Sequence, residues 1–128
     1  ARKVLAEGLI RLGVITQNLD EALDMKSGQL KDWYMHNTSH WIGLDVHDVG
    51  VYLPDGKPRL LESGMCLTVE PGLYFGAWRP DVVCPERYAN IGIRIEDDIL
   101  VTDDGPVVLT DKCPKTIDEI EHIVGNTV

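Results

Sequence analysis

Three histidines lie close together in this 128-residue chain, at His36, His40 and His47. His36 and His40 have the i, i+4 spacing that would let one metal ion bind both from the same face of a helix. The residue after His36 is asparagine, so the segment is not the HExxH zinc-protease motif, and its Asn, Thr, Ser and Gly residues disfavour a regular helix. Each histidine alone is more simply interpreted as a hydrogen-bonded structural side chain. For the three together, a metal site and a structural role are equally good interpretations.

Two glutamates farther along the chain strengthen the case for a metal site. Glu70 and Glu96 each end a segment of alternating large apolar and smaller or polar residues, at 65–70 and 91–96. Such alternation predicts strands with a buried aliphatic face, and it puts both carboxylates on the opposite face of one sheet. Charges on a half-exposed sheet are the simpler interpretation of either glutamate alone. Together with the histidines they favour a site for Mn, Fe, Co or Zn, which accept mixed imidazole and carboxylate ligands.

The elements that must position these residues can be predicted from local patterns. Leucines at i, i+4 and i+7 predict an amphipathic helix over residues 2–13, with Gly13 as its terminator. Asn18 is a cap for a second, short helix, and Thr116 begins a capping box for a last one. Residues 104–105 predict the turn of a β-hairpin, and the Pro-Gly pair after Glu70 predicts a bulge or bend. Helices at the ends and strands in the middle indicate an α+β fold with an antiparallel sheet.

Composition narrows the classes of partner. The chain has 12 Lys and Arg against 21 Asp and Glu, a formal net charge of −9. This charge disfavours nucleic acids and anionic membrane surfaces, because both are bound by clustered cations. No run approaches the roughly 18 apolar residues of a membrane span. The three cysteines are odd in number and lack a CxxC pair, so they predict neither a disulfide framework nor a structural zinc site, and we expect a cytoplasmic protein.

Three runs of sequence carry a family resemblance. They are MHNTSHWIGLDVHDVG at 35–50, LTVEPGLY at 67–74 and IGIRIEDD at 91–98. In type and order they closely resemble motifs of the aminopeptidase P family, the Xaa-Pro aminopeptidases among the pita-bread metallopeptidases. The resemblance extends over the whole chain and implies a curved, mostly antiparallel sheet with flanking helices.

The resemblance also implies a reaction and a set of site residues. Family members remove the N-terminal residue from peptides with proline in the second position, using water activated by two divalent ions, usually Mn²⁺. Carried over by position, His40 is a metal ligand, Glu70 is a ligand that also shuttles a proton, and Glu96 bridges both ions. His47 would donate a hydrogen bond to the tetrahedral intermediate, and His36 would line the substrate site.

Two further positions match, and two features depart from the family pattern. Arg94 and Tyr74 resemble a pair that orients one metal-binding aspartate. Asn37 stands where the family has glycine, and asparagine tolerates the positive φ that such a turn can require. The family's two aspartate ligands precede the first helix, and no segment here matches them. Residues 1–128 are therefore expected to form the C-terminal half of a catalytic domain without its upstream half, and to be inactive in isolation.

Alternatives to the aminopeptidase remain open at this point. A prolidase would share the same ligands but cleave only Xaa-Pro dipeptides. A pita-bread module without catalytic activity would instead bind proteins. The expected partners are proline-containing peptides, without nucleic acid or membrane, and a homo-oligomer is left open.

Overall fold

The structure, a computed structural model, describes residues 1–76 and 81–125. It has the predicted α+β class. The chain forms two compact units, one made of Ala1–Thr38 and Pro71–Arg94, the other of Ser39–Glu70 and Ile95–Val128. Across the described residues, no helix has the length and apolar character needed to cross a membrane.

The first unit begins with two helices, α1 (Arg2–Arg11) and α2 (Leu19–Leu23). Gly13 follows α1 with a φ of +70°, the left-handed conformation predicted for its terminator. At α2 the Asn18 side chain accepts a hydrogen bond from the Glu21 N–H, and the Glu21 side chain accepts one from the Asn18 N–H. This capping box confirms the predicted start of the helix, although α2 is shorter than the sequence suggested.

The apolar core lies in the first unit. Its sheet pairs β2 (Gly72–Phe75) with β3 (Ile91–Arg94) in antiparallel orientation. The rings of Trp33 and Phe75 have centroids 5.1 Å apart, so β2 packs against the segment that follows α2. The buried apolar residues of the core are Ala6, Leu9, Ile15, Ala22, Leu30, Trp33, Tyr34 and Phe75.

The second unit contains a three-stranded antiparallel sheet and a helix. The strands are β1 (Cys66–Val69), β4 (Asp97–Thr102) and β5 (Gly105–Val108), in the order β1-β4-β5, and the helix is α3 (Ile117–Val124). Gly105 has a φ of +116° at the β4–β5 turn, so the predicted hairpin is confirmed. The predicted capping box at Thr116 is also present.

The register of β1 and β4 sets the relation between the two glutamates. Val69 and Asp97 are Cα partners at one end of this ladder. Continuing the same register by one residue sets Glu70 opposite Glu96. The chain leaves β1 at Val69 and begins β2 at Gly72, so the interruption predicted at the Pro-Gly pair is observed.

The predicted burial of the strand faces was wrong. On β1, Thr68 is fully buried and Glu70 is 6% exposed, whereas Val69 is 38% exposed. Ile91 and Ile93, expected to be buried, are 42% and 60% exposed. Alternation identifies the two faces of a strand, but the segment that packs on a face decides whether it is buried.

Candidate metal centre

A short segment of extended chain brings His40 to β1. Residues 40–42 run antiparallel along the edge of β1 that is not occupied by β4. The Thr68 N–H donates to the His40 carbonyl at 3.0 Å, and the Ile42 N–H donates to the Cys66 carbonyl at 3.2 Å. This pairing carries the His40 imidazole to the end of the strand that is followed by Glu70.

Three side chains of the second unit converge at this point. One ligand atom from each of His40, Glu70 and Glu96 lies within 4.8 Å of the other two. His40 Nε2 and Glu70 Oε1 are 2.9 Å apart. Glu70 is buried, His40 is half-buried and Glu96 is exposed, so the cluster opens to solvent on one side. An imidazole with two carboxylates is a donor set that divalent transition-metal ions accept.

The hydrogen bonds of His40 leave the correct nitrogen for a metal. Its Nδ1 lies 2.9 Å from the carbonyl oxygen of Trp41. A carbonyl can only accept, so Nδ1 donates to it, and Nε2 is the ring nitrogen that faces Glu70 Oε1. A backbone carbonyl that fixes the tautomer in this way is typical of metal-binding histidines. The described residues therefore fit a metal ion.

His47 lies against His40 without joining the ligand cluster. The two rings have centroids 4.3 Å apart and meet edge to face, at 80°. The loop between them is closed by the Asp48 N–H, which donates to the Trp41 carbonyl at 3.1 Å. His47 is exposed, so its imidazole can contact a ligand from solvent.

In the first unit, a chain of hydrogen bonds joins His36, Tyr74 and Arg94. Arg94 Nε donates to Tyr74 Oη at 2.7 Å, and Tyr74 Oη lies 2.9 Å from His36 Nε2. His36 Nδ1 donates to the Asn37 carbonyl at 2.7 Å, so Nε2 is the ring nitrogen that faces the tyrosine hydroxyl. The sequence suggested the Tyr74–Arg94 pair but not its connection to His36.

Asn37 does not use the conformational freedom considered for it. Among the non-glycine residues of 1–76 and 81–125, those with positive φ are Asp55 and Asn90. The replacement of the family's glycine by asparagine thus requires no left-handed backbone at this position.

The residue after Glu96 is held by its own network. Asp97 Oδ1 accepts from the Thr110 hydroxyl at 2.7 Å and from Lys115 Nζ at 2.9 Å. The Thr110 hydroxyl, followed by the Lys115 ammonium, lowers the pKa of Asp97 below its usual value. Lys115 also donates to the Thr110 carbonyl at 2.9 Å, so the start of β4 is tied to the segment before α3.

Comparison with known proteins assigns the family. Residues 1–103 match metallopeptidase family M24. The chain belongs to this family.

Relatives and solved structures agree with the M24 assignment. The chain is 47% identical over 122 residues to the Xaa-Pro aminopeptidase of Escherichia coli strain K12. The aligned region covers 95% of this chain and 26% of that protein. The structure of Pseudomonas aeruginosa aminopeptidase PepP matches with a TM-score of 0.84 and 45% identity, over 94% of this chain and 26% of that one. Zinc-substituted E. coli aminopeptidase P in complex with product matches with a TM-score of 0.81 and 47% identity, over the same shares.

These matches confirm the family resemblance and the pita-bread fold class of this M24 chain. The chain spans about a quarter of the length of the relatives it matches.

One residue at the candidate metal centre was missed by the sequence analysis. The Thr68 hydroxyl donates to Glu70 Oε1 at 3.0 Å and accepts from the His40 N–H at 3.1 Å. A threonine two residues before a strand carboxylate lies on the same face of the strand, and that spacing was the available signal.

Proposed function

We propose that this chain is part of a metal-dependent aminopeptidase that removes the N-terminal residue from Xaa-Pro peptides. The metal ligands it would contribute are His40, Glu70 and Glu96. The observation that carries the proposal is the approach of their ligand atoms to within 4.8 Å of one another. The relative named Xaa-Pro aminopeptidase supports the substrate class, and the zinc-substituted relative supports a divalent cofactor. We propose two such ions, Mn²⁺ in the native protein.

Each proposed ligand has a distinct part. Divalent ions supply the Lewis acidity that makes water a nucleophile near neutral pH. His40 would bind an ion through Nε2, because its Nδ1 is directed to a carbonyl. Glu70, buried and hydrogen-bonded by Thr68, is a carboxylate that can bind an ion and take up or release a proton. Glu96, opposite Glu70 in the strand register, is assigned the bridge between the two ions.

The other predicted residues would act on the substrate or on the remaining ligands. His47 is exposed and can donate a hydrogen bond to the substrate carbonyl as negative charge develops on it. His36 would line the substrate site, its tautomer fixed by the Asn37 carbonyl. Tyr74 and Arg94, joined by their 2.7 Å hydrogen bond, would orient one metal-binding aspartate.

We further propose that residues 1–128 form the C-terminal half of a pita-bread catalytic domain, with the upstream half supplying the two aspartate ligands. Exposed aliphatic rows support this division. Ile91 and Ile93 of β3 are 42% and 60% exposed, and Ile117 and Ile120 of α3 are 75% and 42% exposed. Apolar rows on a strand and a helix are normally covered, so we expect the remainder of the domain to cover these faces.

We also propose a cytoplasmic location. Cys66, Cys84 and Cys113 all lie among the described residues and are free thiols there. A reducing compartment keeps thiols in this form.

The proposal is tested by assaying the full-length protein that contains this chain. The metal-depleted protein is compared with the same protein after addition of MnCl₂, using an Xaa-Pro-Yaa tripeptide, an Xaa-Ala-Yaa tripeptide and an Xaa-Pro dipeptide. We expect Mn²⁺-dependent release of the first residue from the proline tripeptide in preference to both other substrates.

The remaining results would separate the alternatives. Cleavage of the dipeptide alone would identify a prolidase. Metal binding without cleavage of any of the three peptides would identify a module without catalytic activity. Undiminished cleavage by the metal-depleted protein would overturn the proposed role of the three ligands.

A further inference from the structure

Thr68 lies between two of the proposed ligands. It is fully buried and belongs to β1, two residues before Glu70, so both side chains point to the same side of the strand. His40 lies beside it on the neighbouring segment of extended chain. Thr68 and Glu70 are the buried side chains of the second unit within the described part of the chain, and both are polar.

The hydrogen bonds of Thr68 have only one consistent set of directions. The His40 N–H can only donate, so Thr68 Oγ1 must accept it, at 3.1 Å. The hydroxyl has a single proton, and the remaining contact of Oγ1 is Glu70 Oε1 at 3.0 Å, so the proton points to the carboxylate. The Thr68 N–H donates to the His40 carbonyl at 3.0 Å. Thr68 thus bonds both the N–H and the carbonyl of His40, and its hydroxyl also bonds the carboxylate of Glu70.

We propose that Thr68 is a positioning residue of the metal centre, which holds His40 and Glu70 in binding geometry before the metal arrives. The proposal rests on the proposed function, because it concerns two of the ligands named there. Its physical basis is the buried hydroxyl, which accepts from the His40 N–H and donates to Glu70 Oε1 and so fixes both groups relative to β1. Hydrogen-bond partners that orient metal ligands typically contribute about 10- to 100-fold in metal affinity or activity.

The test compares three variants of the full-length protein. T68V keeps the shape of the side chain and removes the hydroxyl, whereas T68S keeps the hydroxyl. T102V is the matched control, because Thr102 donates a 2.7 Å hydrogen bond to the Gly105 carbonyl at the other end of β4. Titration calorimetry with MnCl₂ measures metal affinity, and kcat and KM are measured on an Xaa-Pro-Yaa peptide at saturating Mn²⁺.

We expect T68V to bind Mn²⁺ at least about 10-fold more weakly than the parent and to lose kcat with little change in KM. T68S and T102V should stay close to the parent in metal affinity, although T102V also loses a hydrogen bond. If T68V does not fold, T68C replaces it, because a thiol is a weak donor and acceptor.

The outcomes for Thr68 and for the proposed function can be told apart. Parent-like Mn²⁺ affinity and kcat in T68V or T68C would overturn the positioning role and leave the proposed function intact. An equal loss in T68S would also overturn it, since the hydroxyl would then not be the group that matters. A parent protein that neither binds Mn²⁺ nor cleaves the peptide would instead refute the proposed function.

Discussion

Lys115 Nζ lies 2.9 Å from Asp97 Oδ1, and Asp97 directly follows the proposed ligand Glu96. We expect K115M to loosen the first residue of β4 and thereby to lower Mn²⁺ affinity several-fold. Partners that orient metal ligands typically contribute about 10-fold or more to metal affinity, so the expected loss lies near the lower end of that range. K115R should retain most of the affinity. The exposed Lys112 provides the control K112M, and calorimetry checks all three. Equal affinity in K115M and K112M would contradict the prediction.

E96Q should remove the proposed bridge between the two ions. Because glutamine keeps the size but not the charge of the ligand, we expect kcat/KM on Xaa-Pro peptides to fall by more than about 100-fold, beyond the usual cost of losing an orienting partner. The bound metal should fall below two ions per chain. E121Q on the exposed part of α3 is the matched control. Activity of E96Q close to that of the parent would refute the bridging role.

Two glycines give opposite predictions for the same substitution. A Cβ at Gly50 would lie 2.3 Å from Trp41 Cδ1, whereas a Cβ at Gly8 in α1 meets no atom within 4 Å. Trp41 is stacked on Tyr52 with ring centroids 5.4 Å apart, so the indole ring has little room to move away from a new Cβ. We expect G50A to lower the free energy of unfolding by about 1–3 kcal/mol, and G8A to raise it by about 0.5–1 kcal/mol. Urea unfolding of both variants measures these changes in the free energy of unfolding. A stabilising G50A would be inconsistent with the packing of Trp41.

The capping box of α3 should make its stability depend on pH. The Thr116 hydroxyl and the N–H groups of Thr116 and Lys115 lower the pKa of Glu119 below its usual value. A lowered folded-state pKa stabilises the protein above the unfolded value of about 4.3, and this contribution disappears as the pH falls through the folded-state pKa. E119A should therefore have a lower free energy of unfolding than the parent near pH 7. This difference should disappear under acid conditions. A difference that widens toward pH 3 would show the opposite sign.

Residues 1–128 expressed alone should bind Mn²⁺ weakly and cleave Xaa-Pro peptides poorly. The reason is that the chain supplies three proposed ligands, His40, Glu70 and Glu96, whereas the two aspartates that the family resemblance implies are expected in the upstream half. Calorimetric titration with MnCl₂ measures the affinity and stoichiometry. Tight binding of two ions would mean that other residues of this chain complete the site.

The helix starts and the hairpin were predictable because local hydrogen bonds specify them. Asn18 and Thr116 cap helices through groups only three residues away, and Gly105 provides the positive φ of its turn. The sequence predicted one sheet for the alternating segments 65–70 and 91–96, and this was wrong, because β1 pairs with β4 whereas β3 pairs with β2. Glu96 approaches Glu70 because it directly precedes β4.

Burial and the finer contacts were not predictable in this way. The buried side chains of Thr68 and Glu70 contact His40, which lies on a segment that pairs with β1 from more than twenty residues away. The sequence also could not indicate that the carbonyl of Trp41 fixes the tautomer of His40, because every residue has a carbonyl. The role of Thr68 depends on both of these tertiary contacts.

The register of β1 and β4 limits which changes in chain length this family member can accept. Residues added between β2 and β3 leave Glu70 and Glu96 opposite each other, because the strands on either side keep their pairing. A single residue inserted into β1 next to Glu70 would instead turn one carboxylate to the other face of the sheet. Insertions and deletions among natural variants should therefore accumulate in the segment between Phe75 and Ile91 and be absent from β1 and the first residues of β4.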